Sequence, residues 1–246
     1  MIGMCDSGSG GLTVLSALLK RKPLCDTVYF GDGKNAPYGA LSAAQLHALA
    51  ERATSTLTVR GADELVFACN SLSAAARAGA TGNVRYIEMS LPGIAALATK
   101  PQSWRGLYIA TPATVAARLL DPVQVVSLDF LPVPGLAEAI EFGTYDTAET
   151  IVGEAFASRR GKQYDGLVLG CTHYPLMWTR IEALARESFG NIEVLDPAEA
   201  VADEVVKQFV TDGQGRLQFF LSKDLPHFRS RVEELFPRNQ YSIEYI

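Results

Sequence analysis

Short apolar runs alternate along the chain with longer segments in which apolar residues recur at helical spacing. From the amino terminus the runs predict strands at IGMC (2–5), TVYFGD (27–32) and ELVFAC (64–69). Helical spacing over LTVLSALLKR (12–21) and AAQLHALAERATSTLTVR (43–60) places helices between them. A second series starts near RYIEMS: helix PGIAALAT, strand GLYIAT, helix PATVAARLL, strand VQVVSL, a helix through LAEAIE, helix TAETIVGEAFASRR, strand GLVLG, helix TRIEALARES and strand IEVLD. The remainder reads as helix AEAVADEVVKQFV, strand LQFFLS, helix HFRSRVEELF and a short strand in YSIEYI. The strand runs are short and aliphatic, as expected of strands covered on both faces of a parallel sheet. Alternation of this kind predicts an α/β fold with mostly parallel sheets.

Two of the strands end alike. DELVFACNSLSAAA (63–76) and DGLVLGCTHYPL (165–176) share an order of charged residue, apolar run, small residue and cysteine. The repeat predicts two pseudo-symmetric, doubly wound domains. A boundary near residue 93 divides them, with 1–92 plus 195–246 as one domain and 93–194 as the other. Open α/β sheets bind ligands beyond the carboxyl ends of their strands, so Cys69 and Cys171 both fall where a site is expected. If the two halves pack face to face, the thiols approach one ligand from opposite sides.

Composition narrows the chemistry. With 246 residues, 48% of them hydrophobic, the chain has ample material for such a core. Its 27 acidic and 22 basic residues give a formal charge of -5, and no basic run interrupts it, which argues against electrostatic binding of nucleic acid or a membrane surface. No apolar stretch approaches bilayer length and no secretory leader pattern opens the chain, so a soluble, cytoplasmic protein is expected. The four cysteines, at 5, 25, 69 and 171, are too dispersed for a CxxC metal or redox motif and too few for a disulfide scaffold. Free thiols are the expectation, with Cys25 and Cys5 read as small core hydrophobes.

The other strand ends add polar groups. CDSGSGGLT (5–13) puts Asp6 and Ser7 at the first exit and crowds Gly8, Gly10 and Gly11 into the turn, where backbone N–H groups are open to an anion. The spacing departs from a dinucleotide GxGxxG at its last position, Thr13. FGDGKNAPYG (30–39) brings Tyr38 and Gly39 to the second exit; Asn70 and Ser71 follow Cys69, and Thr172 and His173 follow Cys171. A thiol at a helix start has its thiolate favoured. Two such thiols on opposite sides of one ligand suit removal of a proton from one face of a carbon and delivery of a proton to the other.

DSGSGG, GDxxxxPYG, ACNS and GCTHYPL, in this order and spacing, resemble the signature of the cofactor-independent glutamate racemases, within the aspartate/glutamate racemase superfamily. The resemblance covers nearly the whole chain. It implies two α/β domains with the site between them, no pyridoxal phosphate, no metal, and D-glutamate made for peptidoglycan in the bacterial cytoplasm. It further implies that Cys69 and Cys171 are the two acid–base groups, one for each enantiomer. Asp6 beside Cys69 and His173 beside Cys171 would set their protonation. Ser7, Tyr38, Gly39, Asn70, Ser71 and Thr172 would hold the substrate together with Asp6 and His173. A family glutamate after a Val-Pro pair corresponds to Glu138 in VPGLAEAIE, with Glu141 close by as the alternative. A homodimer is also expected on this resemblance.

Rival readings keep part of the chemistry. An aspartate or mixed aspartate/glutamate racemase would share the thiols, because Ser71-Leu72 and Gly33-Lys34-Asn35-Ala36 depart from the usual pattern near the pocket. A Cys-His amidohydrolase would need Cys171 and tolerate Cys69→Ser. A one-thiol decarboxylase would not need both, and a binding protein would need neither.

Overall fold

The computed structural model describes residues 1–120 and 127–246. The first stretch of alternation comprises β1 (Ile2–Asp6), α1 (Leu12–Arg21), β2 (Thr27–Gly31), α2 (Ala43–Thr58), β3 (Glu64–Phe67), α3 (Asn70–Ala75) and β4 (Arg85–Glu88). α4 (Ser90–Leu97) then leads to β5 (Arg105–Ala110), α5 (Pro112–Ala116), β6 (Ser127–Pro132), α6 (Leu136–Phe142), α7 (Tyr145–Ala157), β7 (Gly166–Gly170), α8 (Trp178–Phe189) and β8 (Glu193–Leu195). α9 (Pro197–Gln208), β9 (Arg216–Leu221), α10 (Phe228–Leu235) and β10 (Gln240–Tyr245) complete the chain.

The strands build two sheets, ordered β10-β9-β2-β1-β3-β4 and β6-β5-β7-β8, and every pairing among the described residues is parallel. The four strands β2-β1-β3-β4 and the four strands β6-β5-β7-β8 thus follow the same order. β3 corresponds to β7, and the two cysteine-bearing exits are topologically equivalent. β9 and β10 extend only the first sheet, so the chain returns to its first lobe after completing the second.

Burial explains the uniform strand composition. All residues of β1, β2 and β7 are buried. On one face of the first sheet, Leu15, Leu18, Val201, Val205, Phe228 and Val232 of α1, α9 and α10 pack against Tyr29 and Phe219. On the other face, Leu46, Leu57 and Leu72 cover Val28, Phe30 and Phe67. The second sheet is covered likewise, with Leu136, Val152, Phe156 and Ile181 packed against Leu107, Leu167 and Leu169. Each lobe has its own core, which leaves the strand exits free to face the other lobe.

Several boundaries differ from the sequence expectation. The expected strand VQVVSL reaches into residues outside those described; the described strand begins at Ser127 and runs to Pro132. The helix expected across PATVAARLL ends at Ala116, where turns replace it. α3 stops after six residues and widens into a turn at Ala76–Ala80, in which Gly79 has φ +92°, a conformation that glycine adopts without a Cβ penalty.

Candidate active site

Parallel pairing puts the carboxyl ends of β1 and β3 side by side, with Cys5 opposite Phe67, and those of β5 and β7 side by side, with Ile109 opposite Leu169. Continued two residues, these registers bring Ser7 beside Cys69 and Thr111 beside Cys171. The two exits meet at one crevice lined by Ser7, Pro37, Tyr38, Gly39, Cys69, Asn70, Ser71, Thr111, Glu141, Cys171, Thr172 and His173, among others. Its free volume is ≈ 20 Å³, on the order of one water. Both thiols are almost fully buried, Cys69 at 5% and Cys171 at 6% exposure.

Cys69 stands in extended conformation as the residue before α3. Burial pushes its thiol well above the ordinary value, as do the charges of Asp6 and Cys171, against the opposing N–H of Leu72. Asp6 is itself buried; its Oδ1 accepts from the Gly8 N–H at 2.7 Å and its Oδ2 from Thr172 Oγ1 at 3.0 Å. That second bond crosses from one lobe to the other. Burial raises the Asp6 carboxyl, and His173, the Gly8 N–H and Thr172 counteract it.

Cys171 has its partner two residues on, with His173 Nδ1 3.9 Å from Sγ. His173 Nε2 lies 2.8 Å from Glu141 Oε2. Burial works against a charged imidazole there, yet the Cys171 sulfur and the Glu141 carboxylate outweigh it and hold His173 well above its usual value. Burial alone would raise Glu141, but its bond to His173, with Ser9 and Arg231 also contributing, keeps it at about 2. The pair is therefore an imidazolium against a carboxylate, with the Nδ1–H facing the sulfur. A positive group thus stands beside the Cys171 sulfur.

The carboxylate that sequence reading sought at Glu138 is brought to the site by Glu141 instead. Glu138 sits on the exposed side of α6, whereas Glu141, one helical turn later, is 1% exposed and lines the crevice. Tyr38 lines the crevice with its ring; its hydroxyl donates to Asp32 Oδ2 at 2.7 Å and is directed away. Ser71 forms a hydroxyl cluster with Thr111 at 3.1 Å and Thr114 at 3.4 Å. Two buried polar atoms at the crevice, Asn70 Nδ2 and Glu141 Oε1, have no hydrogen-bond partner. One is a donor suited to a carboxylate and the other an acceptor suited to an ammonium.

Sequence reading missed Thr111, Ser9 and Arg231. The equivalence of β5 with β1 was the signal for Thr111, since Ser7 marks the same exit in the first sheet. Among the described residues, no group of three or more His, Cys, Asp and Glu side chains is placed to hold a metal ion. Nor is any described helix long and apolar enough to cross a membrane.

Two thiols at equivalent strand ends thus face one closed crevice between two parallel sheets. No family model matches the chain. A glutamate racemase of Cereibacter sphaeroides is 34% identical, over 99% of this chain and 98% of its own length. One from a Roseiflexus species is 36% identical, over 84% of this chain and 78% of that protein. The solved structure of a glutamate racemase isoform from Bacillus anthracis matches with a TM-score of 0.87 at 25% identity, over 100% of this chain and 97% of that one. The chain belongs to the glutamate racemase family.

Proposed function

We propose that the protein interconverts L- and D-glutamate by passing the α-proton between Cys69 and Cys171. The observation that carries this reading is the pair of thiols at equivalent strand ends on one crevice. In one direction a thiolate takes the proton from the α-carbon and the opposite thiol gives its own proton to the other face; the thiol and thiolate have then exchanged roles. The α-proton is far less acidic than a thiol, so the carbanion-like state needs fixed donors in a dry site. Asn70 Nδ2 and the hydroxyls of Ser7 and Ser71 are available to the carboxylates, and Glu141 Oε1 to the ammonium, while Thr172, its hydroxyl held by Asp6, lines the same crevice. Asp6 and His173 adjust the two sulfurs, Asp6 on the Cys69 side and His173 on the Cys171 side.

Family membership and the buried free thiols support a cytoplasmic enzyme that supplies D-glutamate for peptidoglycan, acting as a homodimer. Sheet membership supports two domains, 1–92 with 195–246 and 93–194.

The test is proton NMR of L-glutamate and, separately, L-aspartate in D2O with the purified protein and no added cofactor. Loss of the glutamate α-proton signal, with the D-enantiomer appearing by chiral chromatography, is expected, and no D-enantiomer is expected with Cys69→Ser or Cys171→Ser. Exchange of aspartate alone would keep the chemistry and change the substrate. Exchange of neither by folded, reduced protein sinks the reading.

A further inference from the structure

Arg231 is a buried cation that the two-thiol chemistry leaves without a task. It is 6% exposed and lies on α10 in the core-facing stripe with Phe228 and Val232. Its Nη2 donates to the Ile140 carbonyl at 2.7 Å. Its Nη1 donates to Ser9 Oγ and, at 3.3 Å, to Glu141 Oε2. Ser9 is fully buried, and both its N–H, at 3.2 Å, and its Oγ, at 2.6 Å, donate to the same Oε2. His173 Nε2 brings the donors on that oxygen to four. A guanidinium in a packed core is costly unless it pairs with a buried charge, and here the carboxylate it pairs with is already shared with an imidazole.

We infer that Arg231 is a positioning residue for Cys171: with Ser9 it fixes and neutralises the Glu141 carboxylate, so that His173 is aimed at the sulfur with its positive charge uncancelled. This rests on the two-thiol reading. A lone Glu141–His173 pair would be neutral and exert little field on Cys171. With Arg231 the three groups carry one net positive charge. The charged and titratable groups facing His173 are Cys171 from its own loop, Asp6 from the end of β1 and Glu141 from α6, with Arg231 from α10 reaching it through Glu141. Asp6 opposes the positive charge and Arg231 restores it. Loss of the guanidinium charge strengthens proton binding at His173, the group that faces the sulfur, so the rate rises only at higher pH.

The test compares kcat and KM for both glutamate enantiomers against pH in the wild type, Arg231→Gln, Arg231→Lys and Arg231→Met, with Tm measured alongside. Arg231→Gln keeps an N–H donor and drops the charge. Its rising limb of kcat/KM should move up by about one pH unit. At neutral pH its kcat should fall roughly tenfold, with KM changed less than about threefold. Arg231→Lys keeps the charge and should leave the limb in place. If Arg231→Gln does not fold, Arg231→Met, an uncharged side chain of similar reach that suits the apolar stripe, must move the limb the same way. An unmoved limb in the folded variant that decides, or a limb displaced equally by Lys and Gln, would show that Arg231 only packs. A wild type that racemises neither enantiomer overturns the two-thiol reading, and this inference with it; a racemising wild type beside unshifted variants overturns this inference alone.

Discussion

Gly10 has no room for a side chain. A Cβ built there would lie 2.5 Å from His173 Nδ1 and 2.7 Å from Thr172 Oγ1. Both atoms belong to the loop that carries Cys171, and their partners Glu141 and Asp6 allow them little travel. Gly10→Ala should therefore keep the fold, read by circular dichroism, and reduce kcat about 100-fold, because displacement of an acid–base group by around 1 Å is that costly. Retention of wild-type kcat in Gly10→Ala would show that the loop position is slack. At this scale the sequence was legible where the signal was local. Each thiol follows a short apolar run, and His173 is the only histidine beside a cysteine. Glu141 was less legible than Glu138 because two glutamates on one short helix differ only in which face is buried, and the burial partner is in another lobe. Ser9 stands between two glycines and Arg231 among several charges of α10, so neither carries a local signal. Their meeting spans 222 positions of sequence. Arg231 did leave one trace, since it falls three residues after Phe228 and one before Val232, on the face meant for the core.

Helix starts show how chemistry and stability compete within single elements. Asp196 precedes α9 and accepts from the Ala198 N–H at 2.9 Å, with Pro197 at the first helical position. Burial, opposed by that N–H, nevertheless raises its carboxyl to about 6 from 3.8. The unfolded chain then ionises first as pH rises, so the contribution of this group to stability is intact below 3.8 and declines up to and just beyond 6. Asp196→Asn keeps an acceptor for the cap and removes the ionisation. Its Tm should match that of the wild type near pH 4 and exceed it above pH 6, by thermal unfolding in buffers spanning that range. A difference that does not vary with pH would assign the effect to packing. The existence and order of strands and helices were legible because each buried run is long enough to show its period. Ends such as Ala116 and Ala75 were not, since tertiary contacts stop those helices before the apolar pattern does.

On the scale of the molecule, the shared order of β2-β1-β3-β4 and β6-β5-β7-β8 puts two equivalent exits against each other. The crevice between them has ≈ 20 Å³ free, far less than a glutamate needs. On the proposed function, a substrate enters only if the lobes part, and ties such as Thr172 to Asp6 then re-form around it. A ligand that bridges the lobes favours the closed, folded molecule. D-glutamate at 100 times its Kd should raise Tm by roughly 5–10 °C, which follows from about 2.7 kcal/mol of linkage in a chain of this size. An unchanged Tm at saturating ligand would argue that the crevice is not where glutamate binds. The pairing of the lobes was legible from the repeated cysteine strand. Full parallelism and the placement of β9 and β10 beside β2 needed the structure, because strand neighbours across a sheet leave no local mark.

The return of the chain to its first lobe also has a temporal side. Proteins emerge from the ribosome amino end first and fold largely in that order. Both thiols, His173 and Glu141 are synthesised before residue 216, whereas β9, the neighbour of β2, and α10, with its guanidinium, come afterwards. A message that ends early thus yields a polypeptide holding Cys69, Cys171, His173 and Glu141 but an open sheet edge at β2, the kind of edge that recruits other chains. Proofreading of the translation product is in this sense built into the topology: only a chain read through β9 and α10 covers β2 and brings Arg231 to Glu141.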